Sequence, residues 1–153
     1  MSILSSSLLP KDIHLHLKGS NHGDVLEELI FPLRSDPRVG NWEKLRASLV
    51  ASSTKEIFRE CPSAMFLHHG RTESVTSLVL AAGRSDFGFI SPFQDERIRL
   101  VFVAAIPDAL NNEYLRILGA ISRVCREEEG LSKLLNASDQ GAFISVLEKG
   151  CRQ

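Results

Sequence analysis

Two adjacent histidines are the residues of this sequence best suited to chemistry. His68 and His69 end a short apolar run within the segment Arg59–Arg71, which reads RECPSAMFLHHGR. A neutral imidazole keeps a lone pair on one ring nitrogen and can therefore act as a nucleophile. Arg71 follows His69 by two residues and could bind the oxygens of an anion. The pattern indicates a nucleophile with a cationic neighbour, although paired histidines at a strand end are more often only a polar edge.

Other groups that could do chemistry give weaker signals. His14 and His16 alternate in the run Ile-His-Leu-His-Leu and would share one strand face, but no third ligand follows at a spacing diagnostic of a metal site. We therefore predict no metal. Gly83-Arg84-Ser85 and Gly88 are interpreted as turns, because no phosphate-binding or dinucleotide fingerprint surrounds them.

Composition limits the classes of function. The 153 residues carry 18 basic and 19 acidic side chains, so the net charge of −1 disfavours nucleic acid as a partner. Three widely spaced cysteines favour free thiols in a reducing compartment. The opening MSILSSSLLPKDI lacks the basic start of a signal peptide, and no apolar run approaches the roughly 20 residues of a membrane span. We expect one cytoplasmic domain over residues 1–153.

Hydrophobic periodicity predicts the elements that must position the histidines. Alternating or continuous apolar runs predict four strands, at Ile13–Leu17, Ala64–Leu67, Val75–Ala82 and Ile98–Ile106. Helical spacing and capping residues predict helices over 21–30, from Asn41 to about Val50, from Asn111 or Asn112 to near Gly130, over Leu131–Leu135, and from Ser138 onward. This order predicts an α/β sandwich in which helices cover both faces of a mixed sheet.

Five short segments, taken in order, carry a resemblance to a known family. They are Leu8-Leu9-Pro10, Arg59-Glu60, Leu78–Ser85, Leu100–Pro107 and Leu115–Leu118. Each is weak alone, but their order and spacing resemble the EIIA component of the sugar phosphotransferase system (PTS), in its mannitol/fructose and nitrogen-regulatory class. The resemblance spans about Leu8 to Leu147 and implies that family's fold.

The resemblance also implies roles for particular residues. Phe66–His69 takes the place of the family's Ala-Ile-Pro-His, so His69 matches the histidine that the family phosphorylates. Arg59 matches an arginine near the phosphoryl group, and Ser63 matches part of a Ser-Thr loop. Tyr114 stands where the family has a second active-site histidine. The plain alternatives are a solvated cation for Arg59 and a packing role for Tyr114.

Three departures separate this chain from the family pattern. The segment between Arg59 and His69 is shorter than in the family, and with it goes much of a Gly-rich loop whose backbone N–H groups could hold a phosphoryl group. His68 replaces the proline before the phosphorylated histidine. Tyr114 replaces the second imidazole, where its hydroxyl could donate a hydrogen bond. These departures predict that phosphoryl transfer at this site is possible but impaired.

Two functions therefore remain open from the sequence. The first is a protein-histidine phosphotransferase, in which His69 accepts a phosphoryl group from a histidine-phosphorylated carrier protein and serves sugar transport or nitrogen-type regulation. An EIIB component or a regulatory target would be its next partner, and no cofactor is implied because the phosphodonor is itself a protein. The second is a regulatory or interaction module that kept the fold and lost the transfer. An accidental resemblance in an unrelated α/β domain is the third possibility.

Overall fold

The computed structural model describes residues 3–52, 65–90 and 97–151. Its helices of the α type are α1 (Ile3–Ser7), α2 (His22–Ile30), α3 (Trp42–Ser52), α4 (Asn111–Arg126), α5 (Glu128–Asn136) and α6 (Gln140–Cys151). Its strands are β1 (Ile13–Leu17), β2 (Met65–Arg71), β3 (Val79–Ile90) and β4 (Arg97–Ile106). Short 3-10 helices cover Pro10–Asp12, Phe31–Ser35 and Asp108–Leu110. No helix in these three described ranges is long and apolar enough to cross a membrane.

The four strands form one mixed sheet in the order β1-β3-β4-β2. β1 runs parallel to β3, β2 runs parallel to β4, and β3 and β4 are antiparallel. Because β2 lies at one edge and is parallel to its neighbour, its carboxyl end meets the carboxyl end of β4. The predicted α/β fold, with a mixed sheet between helices, is confirmed.

Alternating side chains of the central strands build a separate core on each face of the sheet. On one face, Leu67, Leu80 and Phe102 pack with α4 and α6 residues such as Ile117 and Phe143. The opposite face packs against α2 and α3. Its buried set includes Val25, Leu29, Leu45, Leu49, Phe66, Val79, Val101 and Val103. The first part of β3 (Val79–Gly83) and most of β4 (Leu100–Ile106) are covered on both sides, which explains the nearly continuous apolar sequences there.

The predicted helix boundaries hold best where a side chain caps the first turn. Asn21 caps α2, since its Oδ1 accepts a hydrogen bond from the Asp24 backbone N–H at 2.9 Å. The prediction that Gly130 ends the long helix was wrong. α4 ends at Arg126, and Gly130 lies inside α5, where an added Cβ would be 2.3 Å from the carbonyl oxygen of Val124. Glycine at this position permits the close approach of the two helices.

The interpretation of Gly83-Arg84-Ser85 and Gly88 as turns was also wrong, since all four lie within β3. Gly83 is required by packing, because an added Cβ would lie 2.5 Å from Cδ1 of Leu17 on β1. The Arg84 side chain crosses to the carboxyl end of α5 and donates hydrogen bonds to three carbonyl oxygens there. The acceptors are Leu134, Leu135 and Ala137, at 3.1, 3.1 and 2.8 Å. The arginine thus satisfies carbonyls that the helix itself leaves open.

A buried ionic cluster ties the N-terminal segment to the loop before α3. Arg38 contacts Asp12 at 2.9 Å and Asp36 at 2.7 Å, and Lys11 contacts Asp36 at 2.7 Å. Arg38 also donates to the Ser7 carbonyl oxygen at 3.1 Å. The hydrogen bond from Arg38 holds the pKa of Asp36 well below its usual range, whereas burial raises the pKa of Asp12.

Candidate functional site

His69 lies near the carboxyl end of β2, opposite Ala104 of β4, and is half-buried. The predicted strand ended at Leu67, but β2 continues to Arg71 and includes both histidines. Side chains alternate along a strand, so His69 and Arg71 project toward the α4 side while His68 projects toward α2 and α3. His68 is therefore fully buried, whereas His69 is partly exposed although its Nε2 atom is buried.

Tyr114 and His69 lie together although they are distant in sequence. Tyr114 is on the first turns of α4, and its ring is stacked on the His69 imidazole with centroids 5.9 Å apart and planes 17° from parallel. Tyr114 is only 5% exposed. The Tyr114 ring is part of the core on the α4 and α6 side of the sheet. Because it is held there, it restricts the orientation that the His69 imidazole can take.

Arg71 reaches the same helix. A terminal guanidinium nitrogen of Arg71 donates to Oδ1 of Asn111 at 2.9 Å. The sequence had offered Asn111 as a helix cap, but the position that caps α4 is Leu110, which makes no side-chain capping bond. Asn111 instead positions the exposed guanidinium beside the strand end that carries His69. An exposed cation is thus held at the end of the strand that carries His69.

His68 occupies a different environment behind the sheet. It is 1% exposed and packs against the rings of Phe66 and His22, with centroids 4.7 and 5.6 Å away. Neither ring nitrogen of His68 has a hydrogen-bond partner among the described residues. Burial, with smaller contributions from His22 and His69, lowers the pKa of His68 to about 3. The ring is therefore neutral at ordinary pH and serves as a core residue.

The remaining predicted groups divide into two sets. Arg59 and Ser63 lie outside the described residues. His16 on β1 pairs with Asp86, with Nδ1 2.9 Å from Oδ1. In the described ranges, no three His, Cys, Asp or Glu side chains are grouped so that they could hold a metal ion.

Comparison with known proteins identifies the family. A model of the family "Phosphoenolpyruvate-dependent sugar phosphotransferase system, EIIA 2" matches residues 6–150. The chain belongs to this family. His69 therefore lies near the carboxyl end of a strand in an EIIA-type sheet, with the Tyr114 ring stacked on it.

Curated relatives include fructose-specific PTS components. The PTS system fructose-specific EIIABC component of Bacillus subtilis is 21% identical over 147 residues, which cover 95% of this chain and 23% of that protein. The PTS system fructose-specific EIIA component of Haloferax volcanii is 31% identical over 80 residues, or 52% of each chain. The chain thus spans about a quarter of the first relative's length, and its match covers about half of the second.

Solved structures show the same fold at low sequence identity. The nitrogen regulatory protein IIA-Ntr of Neisseria meningitidis has a TM-score of 0.81 at 17% identity, covering 95% of this chain and 99% of that one. IIA mannitol of Escherichia coli has a TM-score of 0.69 at 18% identity, covering 90% and 96%. The sandwich of this EIIA protein is therefore shared between sugar-specific and nitrogen-regulatory members.

Two residues of this region were missed from the sequence. Asn111 gives no signal as the partner of Arg71, because an asparagine before an amphipathic stretch is typical of a helix cap. His22 gives no signal as a neighbour of His68, since the two are joined only when α2 packs on the sheet. Both contacts depend on tertiary packing rather than on a local pattern.

Proposed function

We propose that this EIIA protein is a histidine phosphocarrier and that His69 accepts the phosphoryl group. The observation that carries the proposal is the parallel packing of the His69 and Tyr114 rings at the strand end, in a chain of the EIIA 2 family. The half-buried imidazole, with its Nε2 atom buried, has the restricted orientation that preorganises a nucleophile.

The transfer would exchange one nitrogen–phosphorus bond for another. A neutral His69 nitrogen attacks the phosphorus of a phosphohistidine on the carrier protein, and the carrier's own N–P bond breaks. Its electron pair returns to the carrier imidazole, which takes up a proton, while the His69 ring gives up its N–H proton. Most of the catalysis is positioning and charge stabilisation. Arg71, held by Asn111, would neutralise part of the phosphoryl charge.

Tyr114 would have a different part from the imidazole it replaces. A phenol is neutral at pH 7 and cannot supply a second positive charge as a protonated imidazole can. In the structure the Tyr114 ring stacks on His69. Its hydroxyl could donate one neutral hydrogen bond to a phosphoryl oxygen, worth about 1 kcal/mol. Arg59 and Ser63 remain proposed oxygen-binding groups on the basis of the family resemblance.

The downstream partner would be an EIIB-type component. The complex of enzyme IIA mannitol with phosphorylated enzyme IIB mannitol of E. coli has the same fold in its IIA chain, with a TM-score of 0.70 at 16% identity. By analogy we place this chain in the cytoplasm, between a phosphorylated carrier and an EIIB component for sugar uptake. Nitrogen-type regulation is the alternative outlet for the same phosphoryl group.

Transfer of radiolabelled phosphate from a phosphorylated carrier protein tests the proposal. Label should reach the wild type and His68→Leu but not His69→Gln, because His68 is fully buried whereas His69 is partly exposed. The labelled product should be acid-labile and alkali-stable, as expected of phosphohistidine. Circular dichroism of each variant establishes that it is folded. If folded wild-type protein takes no label from a cognate carrier, phosphoryl transfer is refuted.

One observation favours a second candidate, an interaction module without transfer. Tyr114 is a buried packing residue at the position where the family has its second imidazole. Labelling of the wild type, with Tyr114→His measured beside it, separates the two functions. In a working phosphocarrier the wild type is labelled and Tyr114→His changes only the rate of labelling. In an interaction module the wild type stays unlabelled while binding the carrier, and restoring the imidazole alone does not produce label.

A further inference from the structure

Two polar atoms at the proposed phosphoryl site are closed to solvent. Nε2 of His69 and the hydroxyl oxygen of Tyr114 are both buried. Nε2 is the imidazole nitrogen farther from the main chain, so it is the one that a docked protein would reach more easily. Attack on phosphorus requires the reacting atoms to approach to about 3–3.5 Å, and a partner cannot make that approach to a buried nitrogen. The described arrangement is therefore closed to transfer at Nε2.

The first turn of α4 supplies a cover for the imidazole. α4 begins at Asn111, and the Tyr114 ring one turn later lies against His69, with centroids 5.9 Å apart and planes 17° from parallel. Tyr114 is in the same core as Ile117 of the next turn. A small side chain at position 114 would leave the space beside the imidazole open. Movement of the Tyr114 ring would thus uncover His69.

Two features favour local opening of this turn. Leu110 at the N-cap makes no side-chain capping bond, so the first backbone N–H groups of α4 lack that support. The Oε2 atom of Glu113 is buried without a hydrogen-bond partner among the described residues. Such an atom regains hydration when the turn opens, which offsets part of the free energy that opening requires. The turn therefore opens more easily than a capped turn whose polar atoms are all paired.

A hydrogen bond ties the turn to the strand that carries His69. The Arg71 guanidinium donates to Oδ1 of Asn111 at 2.9 Å. A phosphoryl group carries negative charge and binds a guanidinium more strongly than a neutral amide oxygen does. An incoming phosphoryl group would therefore compete with Asn111 for Arg71. Once Arg71 has bound the phosphoryl oxygens, the first turn of α4 is held less firmly.

We propose that residues 111–114, the first turn of α4, form a gate that closes His69 in the free protein and opens when a phosphorylated partner protein docks. In the closed state the Tyr114 ring orients the imidazole and covers it. In the open state Arg71 has exchanged Asn111 for the phosphoryl group, and both Nε2 and the Tyr114 hydroxyl are exposed. The gate rests on the proposed phosphocarrier function for its role, whereas the closed state is measurable without a carrier.

Chemical modification of the free, full-length chain tests the closed state. Diethylpyrocarbonate modifies accessible neutral imidazoles, and peptide mass spectrometry gives the rate at each histidine. His16, whose side chain is 67% exposed, is the internal reference. At about pH 8, where a histidine of ordinary pKa is neutral, we expect His69 of the wild type to react roughly tenfold more slowly than His16, because it reacts only after local opening. Equal rates at the two residues would overturn the proposal.

Variants of α4 identify what closes the site. Tyr114→Ala should raise the His69 rate roughly tenfold, and Asn111→Ala should raise it roughly twofold, because each removes a contact that holds the gate shut. Tyr114→Phe keeps the ring and should leave the rate unchanged. Ile121→Ala, two turns further along the same core face, is the control for general loosening and should also leave it unchanged.

The gate is refuted if the His69 rate does not rise in folded Tyr114→Ala, or if Ile121→Ala raises it equally. Circular dichroism establishes that each variant is folded. If Tyr114→Ala does not fold, the wild-type rate and Asn111→Ala decide the question, and an unchanged rate in Asn111→Ala then counts against the gate.

Labelling from a phosphorylated carrier, measured in parallel, separates the gate from the proposed function. If Tyr114→Ala exposes His69 to the reagent and the carrier labels neither protein, the closed state stands and the phosphocarrier function fails. If the carrier labels the wild type while its His69 reacts with the reagent as fast as His16, the function stands and the gate is refuted.

Discussion

Lowering the pH from 7 to 5 should destabilise the protein through one core side chain, His68. Its ring is 1% exposed, and burial lowers its pKa to about 3 in the folded protein, whereas an unfolded chain has a histidine pKa near 6.5. Between pH 3 and pH 6.5, His68 is therefore mostly protonated in the unfolded state and mostly neutral in the folded state. The contribution to stability is fully present above pH 6.5 and is lost progressively as the pH falls toward 3. Between pH 7 and pH 5 the loss is about 2 kcal/mol.

The assay compares the urea unfolding of the wild type and His68→Leu at pH 7 and at pH 5. Leucine has a similar volume and does not titrate, so the variant should lose about 2 kcal/mol less than the wild type over this interval. The burial of His14 and His22 also lowers their pKa values, and the difference between the two proteins removes that shared contribution. Equal pH dependence in the two proteins would refute the assignment of a neutral, buried His68.

Two further substitutions test features that support the fold. Arg38→Leu should cost about 3 kcal/mol of unfolding free energy, because it leaves two buried aspartates with less compensation; a loss below 1 kcal/mol in urea melts would contradict this. Gly83→Ala should lower the free energy of unfolding by about 1–3 kcal/mol, since the new methyl group would overlap the buried Leu17 side chain. Gly119→Ala, which meets only open space and a flexible arginine, is its control and should be neutral or stabilising by up to about 1 kcal/mol. Equal thermal midpoints for the two alanine variants would refute the packing argument.

Most of the fold could be predicted from hydrophobic periodicity. The alternation of Ile13–Leu17 predicts β1 with its bounds, but its apolar side chains divide between two cores, since Ile13 packs on the α4 and α6 side and Leu17 on the α2 side, across a shift in register. The predicted strand over Ile98–Ile106 is one residue shorter than β4. It could be recognised because both faces are covered from Leu100 onward, where the sequence is apolar. Local sequence carries the information wherever burial itself sets the pattern.

The parts that could not be predicted depend on contacts between distant residues. Glycine at positions 83 and 88 was interpreted as a turn signal, but one glycine accommodates Leu17 and the other permits a bulge. A local pattern cannot distinguish a glycine that bends the chain from one that makes room for a neighbour. At the candidate site, the resemblance placed His69 and Tyr114, and the structure adds their stacked geometry. The tie between Arg71 and Asn111 had no signal in the sequence.

The edge position of β2 has a consequence for the order in which parts of the protein fold during synthesis. His69 leaves the ribosome well before Ala104, its only strand neighbour in the described sheet, and before Tyr114, which stacks on its ring. A parallel pairing of this kind closes a long loop and cannot form until the later strand is available. A nascent or truncated chain that stops before α4 therefore has the histidine without its surroundings. The surroundings of His69 are thus completed late in synthesis, so incomplete copies of the protein should not carry out the proposed phosphoryl transfer.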